Sequence, residues 1–399
     1  MSYLTTNLSL SEKYAHLSRF IEQRLTGKQW LWQLTLFCAV LSWCLAVPPY
    51  TVMQSSDAWT FIKMQSQDLL HPGDLGYYIR RENMVMRWML PLMSFLTGHN
   101  LVLILIIQAL LGCLFLYLCS REVFRQTHDK VLTAFFALGL SNLFVFSWFF
   151  VDTAGYGDSF AYFFLLLALF VRNPVLLFIC LQCAFFTDER AIIAGGYVIL
   201  WWITRRLVEQ GESFSFSSVV KSTLALPTWI VLLAWGVYLV FRRYIMSTYF
   251  YGHSYSTMGS PVLFADAHRW GLGNSLWTSF EGTWLLLGAA GYVLYSTHRR
   301  WLLLLLLVGI GVLITTGILV HDIDRALGYG FPFLLISTLI LSRSIPLPEF
   351  RKIIFVMAII CVIHPLCYTL GYNKVIWAEP LPVKAAMALD RMLGWGWFD

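Results

Sequence analysis

Charge is scarce in this chain: Asp, Glu, Lys and Arg make up 13% of its 399 residues, against 58% hydrophobic residues. Soluble proteins carry about a quarter charged residues, so a string of water-soluble domains is excluded and a polytopic membrane protein is expected. Missing too are the strings that bring nucleotides or hydrolytic metals. There is no Walker motif, no Gly-rich dinucleotide fingerprint, no GxSxG and no HExxH, which leaves ATP hydrolysis and zinc or serine hydrolysis without support. The eight cysteines do not read as a disulfide framework, because Cys38, Cys113, Cys180, Cys183 and Cys361 fall in apolar runs, where the thiol behaves as a small hydrophobe. Cys180 and Cys183 form one CxxC, "CLQC". Without a second pair or nearby histidines it reads as helix packing rather than zinc or redox chemistry.

What the chain has is apolar length. "WLWQLTLFCAVLSWCLAV" (30–47), "LVLILIIQALLGCLFLYLC" (101–119) and "WLLLLLLVGIGVLITTGILV" (301–320) come close to the ~20 residues of a spanning helix. They are continuously apolar rather than alternating, which predicts helices and not barrel strands. The expected fold is therefore all-α, a polytopic transmembrane bundle of about 11 spans near 29–49, 100–119, 131–151, 159–172, 174–187, 191–204, 223–241, 275–296, 301–320, 326–342 and 353–370. It divides into an N-terminal segment (1–28), a membrane domain (29–370) with a first outer loop at 50–99, and an outer C-terminal tail (371–399).

The first span lacks a small-x-small cleavage site and reads as a retained anchor. Before it, "SLSE" fits a capping box, and Tyr14, Leu17, Ile21 and Leu25 recur at helical spacing. Residues 9–25 are either an interfacial helix, with Lys13, Arg19 and Arg24 at the headgroups, or a solvated one.

Short basic loops set the orientation. With a cytoplasmic N-terminus, Arg121, Arg125 and Lys130, then Arg172, Arg205 and Arg206, Arg299 and Arg300, and Arg343, Arg351 and Lys352 all fall inside, as the positive-inside rule asks. This accounts for the formal charge of +6 with no nucleic-acid partner. The expected location is a membrane of the bacterial inner type, with the C-terminus outside. Most acids then gather on the outer face, among them Asp57, Asp152, Asp158, Asp188, Glu189, Asp322 and Asp324. The fourth to sixth apolar runs are shorter than a crossing needs, so the polar groups at their outer ends are recessed in a vestibule, or the bilayer thins locally.

The long first outer loop places one acid, Asp57 in "SSDA", just after the first span, and follows it with "RRENMVMRWMLPLMSFLTG", whose 84–98 part reads as a juxtamembrane or re-entrant helix. Later come "VDTAGYGDSFAYFF", the charged turn "FFTDERAII" and "HDIDRALGYGFPF". In this order the features resemble the GT-C superfamily of polytopic glycosyltransferases, in a minimal form without a soluble C-terminal domain. The resemblance covers most of 29–342 by order of features, and it departs from many members in having one acid rather than a pair at "SSDA".

That resemblance implies an inverting transferase with a polyprenyl-phosphate-linked sugar donor and a glycan, lipid or protein acceptor, acting on the outer face among membrane lipids. Such transfer needs a base for the acceptor hydroxyl and a polarised leaving phosphate. Asp57 is the candidate base. Arg325, Arg190, Arg242 or Arg243, with His321, are candidates to hold the phosphate, and Asp152, Asp158 and Glu189 to bind substrate. Asp322-Ile323-Asp324 has the DxD form that holds a divalent cation, Mg or Mn, on phosphates; equally, the HDIDR cluster is a solvated turn in which Asp and Arg pair. Asp188, Glu189 and Arg190 are either an internal ion pair or ligand groups.

The nearest alternative is a lipid-linked glycan polymerase or ligase using Arg242, Arg243, His253, His268 and Arg269. A transporter or lipid flippase expects internal repeats and polar groups reachable from both sides, and neither is visible. A non-catalytic scaffold leaves the acidic cluster without a role.

Overall fold

Polar caps and prolines decide where the apolar runs start. The computed structural model describes residues 10–48, 57–70, 84–209, 215–249, 272–320, 322–364, 367–370 and 374–397. The chain opens with α1 (Leu10–Arg24) and α2 (Trp30–Leu45), and the first long loop holds two short helices, α3 (Asp57–Gln67) and α4 (Met89–Leu96). Asn100 caps α5 (Leu101–Thr127) by accepting the Leu103 N–H at 3.1 Å, and His128 ends it in the left-handed region at φ 53°. Asp129 caps α6 (Lys130–Ser141), which α7 (Phe144–Val151) follows.

Next come α8 (Asp158–Phe170), α9 (Pro174–Phe185) with its Asn173 cap and leading proline, and α10 (Arg190–Glu209). They are followed by α11 (Phe216–Thr223), α12 (Leu226–Tyr249), α13 (Leu272–Phe280), α14 (Thr283–Ser296), α15 (Arg300–Ile318), α16 (Ile323–Gly328), α17 (Pro332–Ser342) and α18 (Leu347–Ile363). An antiparallel hairpin of β1 (Cys367–Leu370) and β2 (Lys374–Trp377) leads to α19 (Leu381–Leu393).

Among the described residues four helices, α5, α10, α12 and α15, are long and apolar enough to cross a membrane, and the pair α6–α7 makes a fifth if counted as one span. Their surroundings differ. Only 28%, 28% and 22% of the apolar windows of α5, α12 and α15 are buried in protein, against 61% for α10, so the first three present their side chains outward. Leu110, Val240 and Leu307 are among the large apolar groups left exposed, a surface that suits a bilayer and not water.

Elsewhere the packing is tight. Helix α6 lies along α18, where a Cβ on Gly139 would come within 2.6 Å of the Met357 methyl. Tyr197 of α10 meets Phe333 of α17, and Phe115 of α5 meets Phe331 edge-on.

Every apolar run expected to span contains a helix, and several differ in form. The 131–151 run is bent by 56° between α6 and α7, where Asn142 turns its amide back onto the Leu138 carbonyl (2.8 Å) and α6 stops. The 275–296 run breaks at Glu281, which takes φ +44°, and the 326–342 run splits into α16 and α17. The last run ends at Ile363 because His364 precedes a proline, which disfavours the helical region, and 367–370 is strand, a departure from an all-helical chain. The helix of the sixth run, α10, is longer than that run, since Arg205 and Glu209 pair at 3.1 Å and extend it beyond Thr204.

At the N-terminus, Tyr14 of α1 packs on Phe355 and Phe135 with centroids 5.0 and 6.5 Å away, and Ile21 and Leu25 join the same core. That face therefore docks on protein, while Leu17 and Phe20 remain exposed.

Candidate functional site

The chain after α7 is turned by one carboxylate. Asp152 accepts the backbone N–H groups of Gly155, Tyr156 and Gly157 at 3.2, 3.1 and 2.7 Å, closing a loop that delivers Asp158 to the start of α8. Gly157 has φ +80°, and a Cβ there would come within 2.7 Å of a Leu90 methyl, so glycine lets α4 sit directly on this turn. Burial pushes the Asp152 carboxyl up to about 6, against the pull of the Gly157 N–H. Asp152 is thus bound to its own loop and positions Asp158.

Asp158, fully buried, is the centre of the site. Its Oδ1 accepts from Arg190 Nη2 (2.9 Å) and from the Tyr329 hydroxyl (3.0 Å), while its Oδ2 accepts from Arg325 Nε (2.6 Å). Arg190 donates Nε to Asp188 Oδ1 at 2.7 Å and Nη2 to Asp188 Oδ2 at 2.8 Å. Arg87 reaches Asp188 Oδ2 at 2.9 Å and forks onto both Glu189 oxygens at 2.8 and 3.0 Å. Arg325 Nη1 donates to Asp322 at 2.6 Å, and its guanidinium carbon lies 4.0 Å from the centre of the Tyr156 ring.

Four carboxylates thus face three guanidiniums, with Asp158, Asp188, Arg190 and Arg325 buried and Arg87, Glu189 and Asp322 at the half-buried edge. Burial alone would raise the Asp188 carboxyl, but Arg190 and Arg87 hold it well below the usual carboxylate range. One donor is left over: Arg325 Nη2 is buried and has no hydrogen-bond partner among the described residues.

The helix that opens with Asp57 borders this network. Trp59 of α3 donates its indole N–H to Thr153 O (2.8 Å), inside the Asp152 loop, and Gln65 donates to Met84 O and Val85 O (3.1 and 3.0 Å), holding the 84–88 segment against α3. Between them lies a small open cleft lined by Ile62, Gln65, Arg87, Leu90, Gly155 and Tyr156 among others. The Asp57 side chain, His321, and the loop residues His253, His268 and Arg269 lie outside the described residues.

Of the sequence candidates, Asp152, Asp158, Glu189, Arg190 and Arg325 come together. Arg242 stands nearby, 3.4 Å from the hydroxyl of Tyr238, whose ring packs on Phe185 and Phe186, and Arg243 is exposed. The two acids of the DxD string part company. Asp322 turns to Arg325, whereas Asp324 is buried and accepts from Thr278 and Ser279, both at 2.9 Å. Residues two apart in a helical turn do not share a face, and among the described residues no group of three or more His, Cys, Asp or Glu gathers as a metal site. Asp322 and Asp324 therefore meet different partners.

Arg87, Tyr156, Tyr162 and Tyr329 were not singled out from the sequence. For Tyr156 and Tyr329 the signal is a repeated tripeptide: Gly-Tyr-Gly stands at 155–157 and again at 328–330, and the two copies meet at Asp158. Tyr162 donates to Arg325 O at 2.8 Å, and Gly328 makes room, since a Cβ there would sit 2.5 Å from that hydroxyl.

No family model, curated protein or solved structure matches this chain.

Proposed function

We propose that the chain is a multi-pass membrane glycosyltransferase of the GT-C kind, with about 11 spans and its N-terminus in the cytoplasm. On this reading it moves a sugar from a lipid-phosphate carrier to an acceptor on the outer face. The observation that supports it is the packing of α3, the helix that begins at Asp57, on the Asp152 loop through Trp59, beside the network of buried Arg190 and Arg325 and half-buried Arg87, in which one Arg325 N–H has no partner among the described residues. Asp57 takes the proton of the acceptor hydroxyl, whose oxygen attacks the anomeric carbon as the bond to the lipid phosphate breaks. The charge released on the phosphate is met by the Arg325 side of the network, where a desolvated donor is worth more than in water. No step is assigned to a cation.

The test is Asp57→Asn in proteoliposomes, following release of polyprenyl phosphate from a polyprenyl-phosphate-linked sugar. A folded variant slowed by about 10²-fold or more is expected from loss of a general base, and wild-type turnover removes Asp57 from the chemistry. Arg325→Ala should weaken donor binding by roughly 2–5 kcal/mol. A second reading has its own support: each of the three guanidiniums is already matched by carboxylates, as a purely stabilising network requires. That reading predicts unchanged donor affinity in Arg325→Ala once the variant is shown to be folded.

A further inference from the structure

We propose that α19 and the two tryptophans after it form an interfacial anchor. It lies flat in the headgroup layer of the bilayer, at the end of the bundle where Asp57 and the arginine network stand. The proposal rests on α2 being membrane-embedded and is independent of the sugar-transfer reading.

Three observations carry it. First, α19 is tied to the end of an apolar helix. Lys384 donates to Val47 O and Pro48 O at 3.3 and 3.5 Å, and Val47 N–H donates to Glu379 O at 3.2 Å. Helix α2 itself turns Phe37 and Val40 outward, 63% and 61% exposed. Ser42 of α2 lies 3.4 Å from Ser147 of α7, one turn before the Asp152 loop, so the tether is at the site end. A helix held there sits at the depth where a span meets the headgroups.

Second, α19 has two unlike faces. Leu381, Leu389, Met392 and Leu393 line one side at helical spacing and are 39%, 51%, 81% and 54% exposed, while Lys384 and Arg391 fall on the adjoining edge. Third, the tail is folded so that its aromatics are displayed. Gly394 and Gly396 take φ +65° and +69°, Asp390 accepts the Trp397 N–H at 3.0 Å, and Trp395 and Trp397 stack at 4.5 Å with 51% and 71% of their surface exposed. Asp390 is consumed in closing the helix, so the outward side keeps apolar and cationic groups. Paired indoles beside a basic edge fit the interface between acyl chains and anionic headgroups.

The experiment uses full-length protein, with native cysteines replaced, in phosphatidylcholine vesicles containing phosphatidylglycerol. A fluorophore is placed at Met392→Cys or Arg391→Cys. Nitroxide lipids should quench the 392 label several-fold more than the 391 label, and an aqueous quencher should show the reverse order. Equal aqueous quenching at both positions overturns the anchor. So does quenching lost on diluting labelled with unlabelled protein, which marks a contact between two copies of the chain. A chain keeping its cysteines supplies the second measurement: Trp395→Phe with Trp397→Phe should lower the share of tryptophan emission that shallow nitroxide lipids quench, and an unchanged share also overturns the anchor.

Discussion

The two ends of α10 carry ion pairs of nearly equal length in opposite surroundings. At its start, Arg190 and Asp158 meet at 2.9 Å with side chains 8% and 0% exposed; at its end, about 30 Å away at 1.5 Å per residue, Arg125 and Glu209 meet at 2.7 Å with 43% and 27% exposed. Distance therefore ranks them wrongly. The exposed pair competes with water and salt and contributes at most about 1 kcal/mol. Groups at the buried end have lost hydration, so each partner there is held by the penalty of leaving the other alone.

The comparison breaks most sharply at Asp158. Asp158→Asn withdraws one charge from between Arg190 and Arg325, and an unfolding titration in detergent should show a loss of about 3–5 kcal/mol. Glu209→Gln at the other end should stay within about 1 kcal/mol. Equal losses from the two variants mean that the buried end is hydrated.

A pH series sharpens it further. Because the Asp152 carboxyl is raised from 3.8 to about 6, ionising it is harder in the folded chain, so this group removes stability as pH rises through that window. The full effect, reached above the upper value, is up to about 3 kcal/mol. Asp188 is depressed and works the other way: its contribution is present above the ordinary carboxylate range and is lost as pH falls below it. The difference between wild type and Asp152→Asn should therefore change between pH 4 and 6 and stay flat below. A constant difference across that window puts Asp152 in water.

Smaller effects follow at the backbone and the rim. Gly157→Ala demands a left-handed alanine whose Cβ meets Leu90, at a cost of about 1–3 kcal/mol, measurable as a lowered Tm. A double-mutant cycle of Arg125→Ala and Glu209→Ala should give a coupling of about 0.2–1 kcal/mol that fades with salt; a larger coupling means the rim is drier than its exposure says.

How far residues announce themselves depends on where their partners lie. The apolar runs located the helices, since a run carries its own reason for being helical, and Asp322 with Arg325 was readable as a local pair because the two are three residues apart. Arg87 gave no such sign: its carboxylates are at 188 and 189, and only the fold brings them near. In the DxD string, adjacency in the chain did not give a shared partner: Asp322 meets Arg325, while Asp324 meets Thr278 and Ser279. The bend after Ser141 and the break at Glu281 hang on single polar residues inside apolar runs, where hydropathy averages them away.

The order in which Asp158 acquires its partners has a consequence for biogenesis. Arg190 leaves the ribosome soon after it; Arg325 and Tyr329 emerge only after α12 to α15 have been made. A nascent chain paused before α16 holds Asp158 with one of its three donors. The C-terminal helices therefore act on the earlier ones as a late-arriving clasp, closed when Arg325 and Tyr329 reach Asp158.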